Sequence, residues 1–380
     1  MIKKNSEGGI KHVKIGLLVP SIGDFGKKGF YNAQEIGLGK ALSQYFDVVQ
    51  IYRLVSEKAP QVDEDVEGNK NIALHFVPSR SFGTNGLVDS AVIDTSIDCL
   101  ICFSDTQISV PKVYKWAVRN KIKFYPYIGV LESHSTSKLK KLLMDMLFKR
   151  NLRIYQKCHC FVKTPTVAKK LGTMGVKDIS VMPVGLDIDL LYQDYESADR
   201  AQLKAKYGFL KSDKVLLFIG RLIDEKQPVR MIEILNQLRE QDGSYKLLMV
   251  GSGLLKDAVN EKIKLYGLAD VVKQIDKISN SDIWELYRFI DCFVNLNQQE
   301  IFGMALLEAM YYRCKVVAWR APGPELIIEN GKSGYLVESD EEVLTAIIDE
   351  KEISEEAHQR IKDRFLWDST AKSIVSVIGE

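Results

Sequence analysis

Short apolar runs alternate with segments of helical period along almost the whole chain, and that alternation restricts the fold more than any other feature. In the first half the strand candidates are residues 13–19, 48–54, 72–77, 98–103, 122–128, 159–162 and 179–182. In the second half they are 215–219, 246–250, 271–275, 292–296 and 315–318. Most are separated by helix-like segments, such as 32–46, 228–240 and 257–266. Strands that are apolar throughout are buried on both faces, so the pattern predicts parallel sheets with helices on either side. The run Pro183-Val-Gly-Leu-Asp187 and the acidic, polar stretch to Ala201 interrupt it at mid-chain. We therefore expect an α/β protein of two doubly wound, Rossmann-like domains, 1–190 and 191–365, with 366–380 as a terminal helix crossing back to the first. A length of 380 residues gives each domain enough chain for its own core. Two such sheets facing across a cleft would exclude water from it. No short-period repeat and no low-complexity segment is present.

Composition removes several classes of function. Fifty-two Lys and Arg stand against fifty Asp and Glu, a net charge of +2, which argues against a nucleic-acid partner. A hydrophobic content of 46% argues against disorder. The longest apolar runs, at 215–219 and 246–250, fall far short of the roughly 18 residues a membrane-spanning helix needs. The opening MIKKNSEGGIKHVKIGLLVP is basic with a short apolar run, and reads as a first strand rather than a secretion signal. Six cysteines are too few for a disulfide scaffold. Cys99 and Cys102 have the CxxC spacing but lie in a strand-like run, where residues three apart point to opposite faces and cannot grip one metal. Cys158 and Cys160 sit in a similar run, and both pairs read as buried structure in a reduced, cytoplasmic protein.

In open parallel sheets ligands bind beyond the carboxyl ends of the strands, so the loops there carry the chemistry. The most informative is Phe218-Ile-Gly-Arg-Leu-Ile-Asp-Glu-Lys-Gln-Pro228. Gly220 ends an apolar strand, Arg221 follows, and Lys226 lies just before a proline suited to start a helix. An Arg fork, a Lys point charge and free helix N–H groups suit a diphosphate. The alternative is a solvated turn in which Asp224 and Glu225 are the partners. Val250-Gly-Ser-Gly253 is a second turn where backbone can approach a ligand closely. The third feature is Glu300-Ile-Phe-Gly-Met-Ala-Leu-Leu-Glu-Ala-Met310, after the polar connector Asn297-Gln-Gln299. With a helix starting near Gly303, Glu300 precedes it and Glu308 lies on its wall. Two such carboxylates can accept hydrogen bonds from hydroxyls at different ends of an extended ligand, and the N–H groups near Gly303, Met304 and Ala305 add an anion site. Alternatively Glu300 complements the helix N-terminus and Glu308 is a surface residue. Glu308 nonetheless sits in an apolar segment, where a carboxylate requires a partner.

Gly220-Arg221, Lys226, Gly251-Ser-Gly253 and Glu300-x7-Glu308 with Phe302-Gly303 inside it, in this order, resemble the family 4 retaining glycosyltransferases of two-domain GT-B fold. The resemblance covers about 170 residues of the second half, through Gly323 and Asn330-Gly-Lys-Ser-Gly334. It extends loosely into the first half through Lys40-Ala-Leu42 and Pro183-Val-Gly-Leu-Asp187. It implies that Arg221 and Lys226 bind the donor's diphosphate, Glu300 the hydroxyls of the donor sugar and Glu308 the ribose. It also implies that the backbone at Phe302, Gly303 and Met304 assists, with no metal or other cofactor. Phe365-Leu-Trp367 resembles the point where such chains cross back. Asn330-Gly-Lys-Ser333 is not a phosphate-binding P-loop, because the required glycine five residues before Gly331 is Leu326.

The first half departs from the family pattern. Gly29-Phe30 after Gly23-Asp-Phe-Gly26 stands where relatives often open the first helix with two glycines. Gly129-Val-Leu-Glu-Ser-His134 stands where relatives often place a histidine. Candidate site residues here are Gly26, Gly29, Glu132 and His134. Residues 137–153 have Leu139, Leu142, Leu143, Met146 and Leu147 at helical spacing, with six cations against Asp145 alone. The segment reads as a membrane-surface helix, as an ordinary helix with a solvated basic face, or as a cationic wall of the donor cleft.

The main expectation is a metal-independent retaining glycosyltransferase, using a UDP-hexose or UDP-N-acetylhexosamine and a glycan or lipid-linked glycan acceptor in cell-surface polysaccharide synthesis. It would act in the cytoplasm or on the inner face of the plasma membrane. The rivals are a nucleotide-sugar epimerase of GT-B fold and a non-catalytic GT-B partner subunit.

Overall fold

The computed structural model describes residues 13–22, 34–66, 68–83, 85–131 and 138–379. The chain divides into two compact units, Met1–Gly185 with Leu366–Glu380, and Leu186–Phe365.

In the first unit the strands are β1 (Lys14–Val19), β2 (Val48–Ser56), β3 (Val62–Val66), β4 (Asn69–Ser79), β5 (Ser81–Phe82), β6 (Asn85–Gly86), β7 (Cys99–Phe103), β8 (Lys123–Ile128), β9 (Cys160–Val162) and β10 (Ile179–Val181). The helices are α1 (Gln34–Leu42), α2 (Val110–Arg119), α3 (Lys138–Tyr155) and α4 (Pro165–Thr173). Among the described residues the main sheet has the order β10-β9-β8-β7-β1-β2-β4-β3. The chain starts at β1, winds outward through β2 and β4, then returns to β7 and winds the other way. Every pairing is parallel except β3–β4. β3 reads Val62-Asp-Glu-Asp-Val66, an acidic edge strand that the apolar-run criterion does not find.

Within this unit α1 buries Glu35 against Arg53 of β2, each 4% exposed, in an ion pair. Burial outweighs the Arg53 charge and holds the Glu35 carboxyl above its ordinary range. The C-terminal helix, Trp367–Ile378, closes the unit. Its Trp367 lies so near α1 that a Cβ on Gly37 would come within 2.3 Å of the indole nitrogen. Thr370 Oγ1 donates to the Pro183 carbonyl at 2.8 Å.

The second unit has β11 (Lys214–Ile219), β12 (Tyr245–Val250), β13 (Val272–Ile275), β14 (Cys292–Asn295), β15 (Val316–Trp319) and β16 (Tyr335–Val337). Its helices are α5 (Arg200–Lys206), α6 (Pro228–Gln241), α7 (Lys256–Leu265), α8 (Ile283–Phe289), α9 (Met304–Tyr311), α10 (Pro322–Ile327), α11 (Asp340–Ile348) and α12 (Ser354–Arg364). The sheet order is β13-β12-β11-β14-β15-β16, parallel throughout. Successive connections run outward from β11 to β13 and then restart at β14. The winding therefore reverses between β11 and β14, and the loops after these two strands diverge to opposite faces and leave a crevice. Short β16 (Tyr-Leu-Val) is not among the expected strands.

All six cysteines are free and buried. Burial pushes the thiols up, to about 12 for Cys102 and Cys292, so none is poised as a nucleophile.

Removing the Glu35 carboxylate takes a paired charge away from a buried guanidinium in the first unit's interior. Glu35→Ala is expected to destabilise that unit by about 3–5 kcal/mol, and Glu35→Leu with Arg53→Leu to recover most of it. Urea unfolding followed by circular dichroism measures both. An unchanged midpoint for Glu35→Ala would show that the pair contributes nothing.

Candidate active site

The second sheet's crevice is built from three loops. The first follows β11, where Gly220 and Arg221 leave the strand and Asp224–Lys226 forms a 3-10 turn. Gln227 then takes a left-handed conformation, φ 56°, and Pro228 opens α6. The second follows β12. The Gly220 N–H donates to the Val250 carbonyl at 3.0 Å and the Leu222 N–H to the Ser252 carbonyl at 2.9 Å. This closeness requires glycine: a Cβ on Gly251 would lie 1.9 Å from the Gly220 oxygen, and one on Gly253 2.5 Å from the Leu222 oxygen. Gly251 also has φ 142°, which L side chains rarely adopt.

The third loop joins β14 to α9. Gly303 caps the helix with φ 96°, so Glu300 and Phe302 precede it while Met304 and Ala305 form its first turn. The N–H groups of that turn have no intrahelical acceptor and add partial positive charge. The Gly323 N–H pins the loop by donating to the Glu300 carbonyl at 2.9 Å, in a contact so close that a Cβ on Gly323 would meet the Phe302 oxygen at 2.2 Å.

Side chains from these loops converge on one carboxylate oxygen. Glu300 Oε2 accepts from Lys226 Nζ at 2.6 Å, Asn297 Nδ2 at 3.1 Å and Asn295 Nδ2 at 3.3 Å. The Lys226 and Glu300 side chains are 23% and 15% exposed, enclosed enough for a charge-assisted bond to be worth about 1.5–3 kcal/mol. Arg221 is exposed, and its side chain has no hydrogen-bond or ion-pair partner among the described residues. Neither Asp224 nor Glu225 pairs with Arg221 or Lys226 there, so the two cations are not neutralised within their own turn. Glu308, 3% exposed on α9, accepts a hydrogen bond from Tyr287 Oη of α8 at 2.9 Å. That supplies the partner its apolar setting requires.

Thus Gly220, Arg221, Lys226, Gly251, Gly253, Glu300, Phe302, Gly303, Met304, Ala305 and Glu308 lie on or beside the loops at the carboxyl edge of one sheet. Asn295, Asn297 and Tyr287 are additions. Asn297 lies in what reads as a polar connector and Asn295 in an expected strand, and nothing in the sequence ties Tyr287 to a glutamate 21 residues later. Gly26, Gly29, Glu132 and His134 lie outside the described residues. At the equivalent edge of the first sheet, Lys163 follows β9 and its ammonium lies 3.1 Å from Gln34 Oε1. Burial lowers its pKa against the pull of Asp105 and Glu35.

Comparison with known proteins bears on the second unit most directly. Residues 199–364 match the model of the family described as glycosyl transferases group 1. The probable sucrose-phosphate synthase of Thermosipho melanesiensis is 27% identical over 219 residues, 53% of this chain and 48% of its own length. The N-acetyl-alpha-D-glucosaminyl L-malate synthase of Bacillus anthracis is 28% identical over 172 residues, 45% of this chain and 42% of its own. The chain thus spans about half the length of the curated relatives it matches. The crystal structure of Anabaena HepE in complex with UDP and glucose superimposes with a TM-score of 0.71 at 18% identity, covering 97% of this chain and 99% of that one. That likeness extends the shared GT-B fold to both α/β units. Over residues 199–364, within its second unit, the chain matches the group 1 glycosyl transferases.

Proposed function

We propose that the protein is a retaining, metal-independent glycosyltransferase that moves a sugar from a nucleoside diphosphate donor to an acceptor hydroxyl. The observation that carries this reading is the placement of Arg221, Lys226 and Glu300 at the crevice between β11 and β14, with two cations that their own turn leaves unneutralised. A diphosphate leaving group gains negative charge as its bond to the sugar breaks. The Arg221 fork, the Lys226 ammonium and the first turn of α9 are preorganised to meet that charge. The acceptor oxygen bonds to the anomeric carbon on the face the diphosphate leaves. Its proton passes to the departing phosphate oxygen, so configuration is retained and no enzyme nucleophile is needed. Glu300 holds donor-sugar hydroxyls, and Glu308, braced by Tyr287, holds the ribose. Uridine is the favoured base and a hexose or N-acetylhexosamine the favoured sugar, with a cell-surface glycan or lipid-linked glycan as acceptor. The neighbour with bound UDP and glucose supports the donor class.

Slow hydrolysis of a panel of nucleotide sugars tests the reading without an acceptor. Arg221→Ala and Lys226→Ala should each reduce turnover by roughly 10²–10³. Normal turnover in both would overturn the assignment. An isomerised nucleotide sugar would identify an epimerase. Silence across the panel together with a tight protein complex would identify a non-catalytic subunit. Glu308→Ala should chiefly weaken binding of the nucleoside diphosphate alone, measured by calorimetry.

We further propose that α3 rests on an anionic lipid surface. Among the described residues no helix is long and apolar enough to cross a membrane. On α3, however, Leu142 and Met146 are 60% and 58% exposed one turn apart. Lys141, Lys149 and Arg153 on the same helix are exposed and have no carboxylate partner among the described residues. Residues 110–157 carry twelve Lys and Arg against two acids, in a protein whose net charge is +2. Each cation near an anionic leaflet contributes about 1 kcal/mol. Sedimentation with phosphatidylserine vesicles but not phosphatidylcholine vesicles is expected, and Lys141→Glu with Lys149→Glu should abolish it. Equal partition to both vesicle types, or to neither, would refute the membrane role.

A further inference from the structure

Glu300 Oε2 is crowded while its other oxygen is not. Lys226, Asn297 and Asn295 all donate to Oε2, whereas Oε1 accepts no hydrogen bond among the described residues. A carboxylate can accept about four hydrogen bonds, so three donors on one oxygen leave the other as the face presented to a ligand.

The asparagines are themselves held in one orientation. Asn295 Oδ1 accepts from the Asn297 N–H at 3.0 Å, and Asn297 Oδ1 accepts from the Gln299 N–H at 2.9 Å. Each side-chain carbonyl is committed to the backbone turn, so each NH2 must face Glu300. Asn297 is 5% exposed, and its amide has little freedom to turn elsewhere.

We propose that Asn297, seconded by Asn295, is a positioning residue that aims Glu300 Oε1 at a donor-sugar hydroxyl. The proposal rests on the reading of Glu300 as a sugar contact. Its chemistry is specific to the amide nitrogen. Asn297→Asp keeps the oxygen that caps the Gln299 N–H and replaces only the donor, turning an attraction for Oε2 into repulsion between carboxylates. A residue serving only the turn would tolerate that change.

Calorimetry on wild type, Asn297→Asp, Glu300→Gln and the double variant separates the possibilities. The ligands are the nucleotide sugar hydrolysed fastest in the panel and its nucleoside diphosphate. Asn297→Asp is expected to weaken nucleotide-sugar binding by about tenfold to a hundredfold, the scale of a hydrogen bond to a charged group, and diphosphate binding by no more than about threefold. In the Glu300→Gln background, where the glutamine NH2 can donate to the carboxylate introduced by Asn297→Asp, the added loss should be below about threefold. Wild-type nucleotide-sugar binding by Asn297→Asp would overturn the proposal. So would an equal loss in the Glu300→Gln background, or an equal loss for both ligands, each of which marks a purely structural turn. If Glu300→Gln itself binds the nucleotide sugar as wild type does, the failure belongs to the assignment of Glu300 and not to its positioning.

Discussion

The candidate site depends on one ion pair, Lys226 with Glu300, joining the loops that leave β11 and β14. Neither residue can reach the other unless those two strands are neighbours in the sheet, and they are neighbours only because the winding reverses between them. Seventy-four residues separate the pair in sequence, and three strands and three helices lie between β11 and α9. The geometry is therefore a property of the whole second sheet. Backbone contact between Gly220 and Gly251, and between Gly323 and Phe302, leaves the loops little room to shift. The lysine consequently meets its carboxylate on an almost rigid frame, which is what electrostatic preorganisation requires.

Exposure separates the roles of the two cations. Arg221, exposed, remains solvated and needs no counter-charge. Lys226 is more enclosed, and an enclosed ammonium is costly unless it is paired. Glu300 supplies the pair from another loop, so the neighbouring Asp224 and Glu225 remain in solvent. The two acids of this turn thus do not pair with its cations.

Much of this was legible in the sequence because buried parallel strands are apolar runs, and runs such as Val-Leu-Leu-Phe-Ile in β11 or Lys-Leu-Leu-Met-Val in β12 admit little else. The site loops were legible for a related reason, since glycines and charges at strand ends stand out against such runs. What escaped was structure without periodicity. β3 presents three acids in five residues, so no apolar run marks it. The amides of Asn295 and Asn297 escaped because their importance lies in which atom faces Glu300, and residue type does not encode that. Tyr287 escaped because its link to Glu308 exists only once α8 packs beside α9. In the first unit, Arg53 lies inside an apolar strand whose counter-charge, Glu35, comes from the preceding helix. A strand reading tolerates the arginine without explaining it.

The same logic accounts for the amides around Glu300. If Lys226 turns toward a phosphate, Oε2 loses its strongest donor, and a carboxylate held by one partner alone would then be free to rotate. Asn295 and Asn297 remain, fixed by the backbone N–H groups of Asn297 and Gln299. Their hydrogen bonds do not depend on where the lysine points. An arrangement in which one cation serves both a carboxylate and a phosphate therefore requires neutral donors as well as charged ones. A second lysine in place of Asn297 would hold Glu300 more strongly, but it would add a cation that competes for the same phosphate. A neutral amide keeps the aim of the carboxylate separate from the charge of the site.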